Sequence, residues 1–242
     1  MDNPEPPVSR RRHVAALAVV AGLVLVAYSN CFSAGLARDD GLVLRDTRVH
    51  ALTRQHVEEI FSHGYLWPSF PSGLYRPVAT FSYLVNFALL RDGMHPAAYH
   101  WINCLLHVAN AFLVYLLMLT LGRRFWPALG AAALWALHPV STDAVTNIAG
   151  RPEGLADFGL LASLLLYIRS GKDFGWGRRA GMLAAATVAV FSKESGVMVL
   201  ALAALYDFTF RTGPGHRVRD WLAAFPRRLQ EGYVYLLVPV CW

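Results

Sequence analysis

Residues 10–40 read RRRHVAALAVVAGLVLVAYSNCFSAGLARDD: three arginines, then 24 residues from Val14 to Ala37 with no Lys, Arg, Asp or Glu, then Arg38, Asp39 and Asp40. A run of that length exceeds the roughly 20 residues needed to cross a bilayer core, so it predicts a first membrane helix. Basic residues stay on the cytoplasmic side, which puts residues 1–13 in a cytoplasmic tail and brings the chain out at Arg38. The adjacent carboxylates Asp39 and Asp40 then stand at the outer membrane face. Two acids there either act on something held between lipid and water or simply mark where helix gives way to solvated loop.

Composition agrees with the membrane reading. Hydrophobic residues make up 55% of the 242, and only 16% are charged. That balance is foreign to a soluble domain. The net charge of +6 would suit a nucleic-acid binder only if it formed a basic face on a soluble fold. Here the basic residues fall in short segments between apolar runs, so no nucleic-acid partner is expected. The apolar run is also longer than a secretory signal core, which favours an uncleaved anchor. Cys31, Cys104 and Cys241 lack the paired spacing of a zinc site, and no convincing metal ligand set accompanies the acid pair.

Beyond Arg38 the chain predicts a long first outer loop, residues 38–98, carrying interfacial helices. Val49, Leu52, Val57, Ile60 and Phe61 recur near helical spacing among charged residues, as in an amphipathic helix lying at a membrane surface. Pro77 to Leu90 is 14 residues, short of a span. Tyr99 to Leu121, Phe125 to about Val140, Pro152 to Ile168, Ala180 to Ser192 and Ser195 to Phe210 are the further expected spans. Tyr233 to Trp242 begins a seventh that is too short to cross, so the chain reads as a fragment of a larger membrane protein. The segments assigned to the cytoplasm hold 14 of the 22 Lys and Arg but only 6 of the 16 acids, which supports this topology and a hairpin with Lys193 and Glu194 at its outer tip. The fold class is therefore all-α, a polytopic bundle of about seven membrane segments forming a single region over residues 1–242.

This topology collects the unusual polar residues on one side of the membrane: Asp39, Asp40, Arg76, His100, Asn103, His138, Asp143, Asn147, Arg151, Glu153, Lys193 and Glu194. Ionisable groups at membrane depth cost at least about 2.5 to 3.5 kcal/mol on insertion scales and are usually paired or functional. His107 and Asn110 continue the stripe deeper along the helix face of His100 and Asn103, where an interhelical hydrogen-bond seam is the better reading. Transporters concentrate such groups near the midplane, whereas here they gather at one face. That favours interfacial chemistry over a transport or scaffold role.

The order of these pieces resembles a known family. An acid pair after the first helix, Tyr75-Arg76-Pro77-Val78, Tyr99-His100 with Asn103 and His107, Leu137-His138-Pro139-Val140 with Asp143-Ala144-Val145, Gly150-Arg151-Pro152-Glu153 and Ser192-Lys193-Glu194-Ser195-Gly196 follow one another as in the transmembrane, tetratricopeptide-repeat-containing protein O-mannosyltransferases and their bacterial relatives, of the GT-C class. The resemblance runs from about Asn30 to Asp207. It implies a GT-C membrane bundle in the bacterial inner membrane or the endoplasmic reticulum membrane. It also implies transfer of mannose from a polyprenyl or dolichyl phosphate carrier to a protein Ser or Thr hydroxyl at the outer or lumenal face. The family's acidic catalytic motif maps onto Asp39-Asp40; of the two, Asp40 is the expected base, because Asp39 can pair with Arg38 or cap the segment that follows. The bottom-up chemistry agrees: a carboxylate suits the base that takes the hydroxyl proton, and Arg76, Arg151 and Lys193 suit a phosphate leaving group. His100 and His138, with Glu153 and Glu194, complete the candidate donor ligands. One base and direct displacement imply inversion at the sugar carbon. A GT-C enzyme moving another sugar to a glycan or lipid fits the same residues.

Overall fold

The computed structural model describes residues 8–37, 39–70, 73–170, 175–211, 218–228 and 232–241. The described residues are all-α, in two compact units, 1–155 and 156–242.

In the first unit, helix α1 (Arg10–Ala27) starts where Ser9 Oγ accepts the Arg12 amide at 3.4 Å. It buries Ala16, Val20 and Val24, one residue per turn on a single face. Helix α5 (Pro96–Gly122) meets it with Cys104, Val108, Ala111 and Tyr115. Helix α6 (Phe125–Ala136) closes the seam with Ala128, Ala132 and Ala136, each at most 2% exposed. Alanines at four-residue spacing let backbones approach closely, the packing expected where no water drives helices together. Among the described residues, α5 alone is long and apolar enough to cross a membrane. Helix α6, at 12 residues, reaches only about 18 Å against a hydrocarbon core of about 30 Å. Helix α1 approaches spanning length but opens with three arginines. Among the described residues the seven membrane segments expected from the sequence are therefore not matched by seven helices of spanning length.

The first apolar run also differs from expectation. Its helix stops at Ala27, a short 3-10 turn covers Ser29–Ser33, and Ala34 starts an extended stretch. The hydroxyls of Ser29 and Ser33 bond back to the Val26 and Asn30 carbonyls, each at 3.0 Å, offering the backbone a competing partner to the helical ladder. Asp39 and Asp40 therefore lie twelve and thirteen residues beyond the end of the first helix rather than directly on it.

The segment expected to form the first outer loop folds into a small core of its own. Helices α2 (Asp40–Leu44), α3 (Arg54–Ser62) and α4 (Pro77–Leu84) contribute Val43, Leu44, Ile60, Tyr83 and Leu84, joined by Val49, Tyr65, Tyr99 and Ile148. Thr53 caps α3 through the His56 amide at 3.1 Å. Of the amphipathic set expected there, Ile60 is buried, whereas Leu52 and Phe61 are about half exposed. Helix α4 continues as a π turn, Val85–Leu89, so the segment is a packed helix about 20 Å long. A buried ion pair fixes the base of this subdomain: Arg48 gives Nη2 to Asp46 at 2.7 Å and Nη1 to the Gly64 carbonyl at 3.3 Å.

Helix α7 (Thr142–Thr146) precedes helix α8 (Arg151–Arg169), which carries the chain from the first unit into the second. In the second unit α8 crosses helix α9 (Trp176–Ser192) at Gly159, where an added Cβ would stand 2.4 Å from the Ala185 carbonyl oxygen. Helix α9 ends at Lys193, whose backbone is extended, and a 3-10 turn, Glu194–Val197, leads into helix α10 (Met198–Tyr206). Gly196 lies so close to α9 that a Cβ would meet the Ala189 oxygen at 2.2 Å. The apolar stretch on either side of Lys193-Glu194 is thus interrupted, as two segments require. Asp207, fully buried, takes hydroxyl bonds from Tyr167 and Tyr233 at 2.5 and 3.1 Å, beside helices α11 (Val218–Arg228) and α12 (Val234–Leu237).

Candidate functional site

The two carboxylates of the acid pair occupy different environments. Asp40 is 1% exposed, and both of its oxygens are engaged: Oδ2 accepts the Ala37 amide and Oδ1 the Ala149 amide, each at 2.8 Å. It thereby ties the extended stretch 34–37 to the connection between α7 and α8. Asp39 is exposed at the start of α2, makes no capping bond, and has no side-chain partner among the described residues.

The α7–α8 connection is pinned at three successive residues. Asn103 Nδ2 donates to the Asn147 carbonyl at 2.8 Å, the Tyr83 hydroxyl to the Ile148 carbonyl at 2.8 Å, and the Ala149 amide to Asp40. Gly150 follows because nothing larger fits: a Cβ would stand 2.5 Å from the Asp143 oxygen and 2.8 Å from Ala144 Cα. Asp143 and Asn147 hydrogen-bond to each other at the exposed edge. Beside this connection lies a cavity of about 380 Å³, walled by the stretch from Ala34 to Ala37 with Asn30 and Cys31 on one side and by Thr142, Thr146 and Asn147 on the other. Gly35 and Leu36 are exposed there, four and three residues before Asp39.

Arg151, expected as a phosphate ligand, is enclosed instead. It is 1% exposed, with Nε on Asn103 Oδ1 at 2.9 Å, Nη1 on Asn86 Oδ1 and on the Ser82 carbonyl, and Nη2 on the Tyr99 carbonyl at 3.3 Å. Its plane lies near the Tyr83 and Tyr99 rings, 4.8 and 5.4 Å from their centroids. A guanidinium so occupied is the hub joining α4, α5 and α8, and its geometry gives no open face to an anion. Arg76 is different. It precedes Pro77 at the head of α4, is half-buried, and sits 5.3 Å from the Tyr65 ring centroid. Burial pushes the Tyr65 phenol up to about 12, against the opposing pull of a hydrogen bond with Tyr83 and of the Arg76 charge. Tyr65 therefore stays protonated beside that cation.

His100 is 1% exposed, within electrostatic range of Asp40, and neither ring nitrogen has a hydrogen-bond partner among the described residues. His138 is exposed and spends Nδ1 on the Val140 amide at 3.2 Å, capping the turn that precedes α7. Glu153 is half-buried on the first turn of α8. Lys193, half-buried, and Glu194, exposed, lie on the turn of the second unit. His107 and Asn110 form the expected seam: His107 Nε2 lies 2.9 Å from the Ala136 carbonyl oxygen, and Asn110 donates to the Gly154 carbonyl at 2.8 Å. Tyr28 donates to the same Ala136 oxygen at 3.2 Å, satisfying a carbonyl at the end of α6 that has no helical partner. The first unit thus brings Asp40, Asn103, His100 and Arg151 together around one connection. Sequence reasoning assigned no part in the site to Tyr83 and Asn86, whose partners Ile148 and Arg151 lie 65 residues further on, or to Tyr65 beside Arg76.

Fold and site together define an all-α protein built on an apolar helix of membrane-spanning length, with acids, histidine and arginine gathered near that helix's first turns. No family model matches the chain, and no solved structure matches it. Among curated proteins it is 33% identical over 201 residues to protein O-mannosyl-transferase TMTC2 of Homo sapiens, covering 78% of this chain and 23% of that protein. It is 31% identical over 199 residues to protein O-mannosyl-transferase Tmtc1 of Drosophila melanogaster, covering 81% and 23%, and 28% identical over 206 residues to human TMTC3, covering 81% and 22%. Over about four-fifths of its length the chain is thus similar to proteins of one family, the TMTC protein O-mannosyl-transferases. It spans about a quarter of the length of these relatives.

Proposed function

We propose that the chain carries the acid pair and leaving-group cation of a multi-pass membrane transferase. In this reading it moves mannose from a polyprenyl or dolichyl phosphate carrier to a Ser or Thr hydroxyl of a protein, at the outer or lumenal face and with inversion. The observation that carries this reading is the division of labour within the acid pair. Asp40 is held by two backbone amides, while Asp39, next to it, is exposed two residues past the stretch that walls the cavity. The names of the relatives supply the reaction class.

In this mechanism Asp39 takes the hydroxyl proton as the acceptor oxygen attacks the anomeric carbon, a role that contributes about 10² to 10⁴ in rate. The carrier phosphate leaves with the bonding electrons, and its charge is met by Arg76, whose planar fork matches phosphate oxygens. Arg151 sets the framework. His100 offers unpartnered ring nitrogens to a donor hydroxyl. His138 and Glu153 are assigned to the donor as expected from the sequence, and Lys193 and Glu194 of the second unit are assigned no step.

The test supplies membranes containing the protein with labelled mannose on polyprenyl phosphate. Label should appear in protein, be released by alkaline β-elimination, and show the anomeric configuration opposite to the donor's. Label recovered only in lipid or glycan, or with retained configuration, would overturn the assignment.

A further inference from the structure

Cys31 and Cys104 lie 73 residues apart in sequence, yet their sulfur atoms stand 3.8 Å from each other. Cys31 sits in the 3-10 turn after α1, and Cys104 is one turn beyond His100 on α5. Both are buried, at 2% and 1% exposure. Cys31 alone of the two lines the 380 Å³ cavity, so a reagent that enters the cavity reaches Cys31 before Cys104. Cys241, the remaining cysteine, is exposed. A disulfide joins sulfurs at about 2.05 Å, and these two thiols already stand in contact at 3.8 Å.

We infer that Cys31 and Cys104 are a redox-active dithiol that closes to a disulfide by exchange with a small disulfide entering the cavity, fastening the turn behind Asp39 to helix α5. The Cys31 thiolate attacks one sulfur of the reagent, RSSR, forming a mixed disulfide and releasing RS⁻. Cys104 then attacks the Cys31 sulfur and releases the second RS⁻. The two thiol protons end on the two leaving thiolates, so the dithiol is oxidised and RSSR is reduced to two RSH. The consequence falls on the acid pair. The cavity wall 34–37 hangs from the 3-10 turn, and Asp40 grips that wall through the Ala37 amide. Closing the bridge anchors the segment at both ends, to α5 through sulfur and to the α7–α8 connection through Asp40.

The experiment treats the intact protein in detergent with oxidised glutathione, quenches with N-ethylmaleimide, and maps peptides by mass spectrometry with and without dithiothreitol. The expected result is a Cys31–Cys104 linked peptide, two hydrogens lighter than the dithiol and opened by dithiothreitol, with a raised melting temperature in the oxidised sample. In Cys104→Ser the reaction should stop at a glutathione adduct on Cys31, which identifies Cys31 as the entry sulfur. Cys241→Ser should leave the linked peptide unchanged. Alkylation of Cys31 and Cys104 undiminished while Cys241 carries glutathione would overturn the inference. So would a stable glutathione adduct on Cys31 with Cys104 intact. None of these readouts depends on sugar transfer, so the inference stands or falls apart from the proposed reaction.

Discussion

Replacing each member of the acid pair by asparagine should separate stability from chemistry. Asp40 holds two amides at 2.8 Å from opposite sides. Bonds to a charged group contribute about 1.5 to 3 kcal/mol each. Asparagine keeps one acceptor oxygen but turns an NH₂ toward the other amide, so either Ala37 or Ala149 loses its partner and meets a donor instead. The lost bond and the unsatisfied buried amide together put Asp40→Asn at about 2 to 4 kcal/mol of destabilisation. Asp39, exposed and without a described partner, should change stability by no more than about 0.5 kcal/mol when made Asn. As the proposed base, however, it should lose about 10² to 10⁴ of the transfer rate. The sequence alone favoured the opposite assignment, with Asp39 as the helix cap and Asp40 as the base. The buried, doubly bonded geometry of Asp40 is the reason for the reversal. Melting in detergent and transfer of labelled mannose, measured on the same preparations and normalised to folded protein, read both quantities. Normal transfer in Asp39→Asn, or unchanged melting in Asp40→Asn, would refute the reasoning.

Arg151→Lys should destabilise by about 3 kcal/mol or more, because a point charge cannot serve Asn103, Asn86 and Tyr99 together. Arg76→Lys should melt near the parent temperature and lose transfer through a raised donor KM; the reverse pattern would exchange their roles. Gly150→Ala should cost about 1 to 3 kcal/mol, since its Cβ would stand 2.5 Å from a backbone oxygen, which melting also checks. The Tyr65 phenol is raised from 10.0 to about 12 in the fold. Its contribution to stability is therefore fully present below about pH 10 and is lost as pH rises through about 12. Tyr65→Phe should flatten the alkaline limb of the melting profile.

The sequence made the long helices legible through the length of apolar runs without charge, as with Tyr99 to Leu121 inside α5. It hid the end of α1, because Ser29, Asn30 and Ser33 carry no charge and so prolong an uncharged run while their hydroxyls compete for the backbone. The polar stripe on α5 was also legible from periodicity, including the seam role of His107 and Asn110. The enclosure of Arg151 was not. Its partners Asn86, Ser82 and Tyr99 come from segments 52 to 69 residues away, and an arginine at the edge of an apolar run has the same local appearance whether it meets a ligand or a buried asparagine. The split within Asp39-Asp40 was equally invisible, since the Ala149 amide that engages Asp40 lies 109 residues further on.

These long-range bonds give the acid pair a physical logic that neither carboxylate has alone. Asn147, Ile148 and Ala149 are gripped in order by Asn103 of α5, Tyr83 of α4 and Asp40 of α2. Buried polar groups satisfied on every side are costly to disturb, because each broken bond leaves a desolvated partner behind. The connection is therefore a fixed point shared by three helices. Asp40 transmits that rigidity to its own backbone, and Asp39 is its covalent neighbour. One carboxylate thus spends both of its oxygens on backbone amides and holds the chain, while the other stands exposed at a position the first has set. A base must meet its proton within hydrogen-bond distance on every turnover, and a pair divided in this way supplies placement without burying the group that reacts.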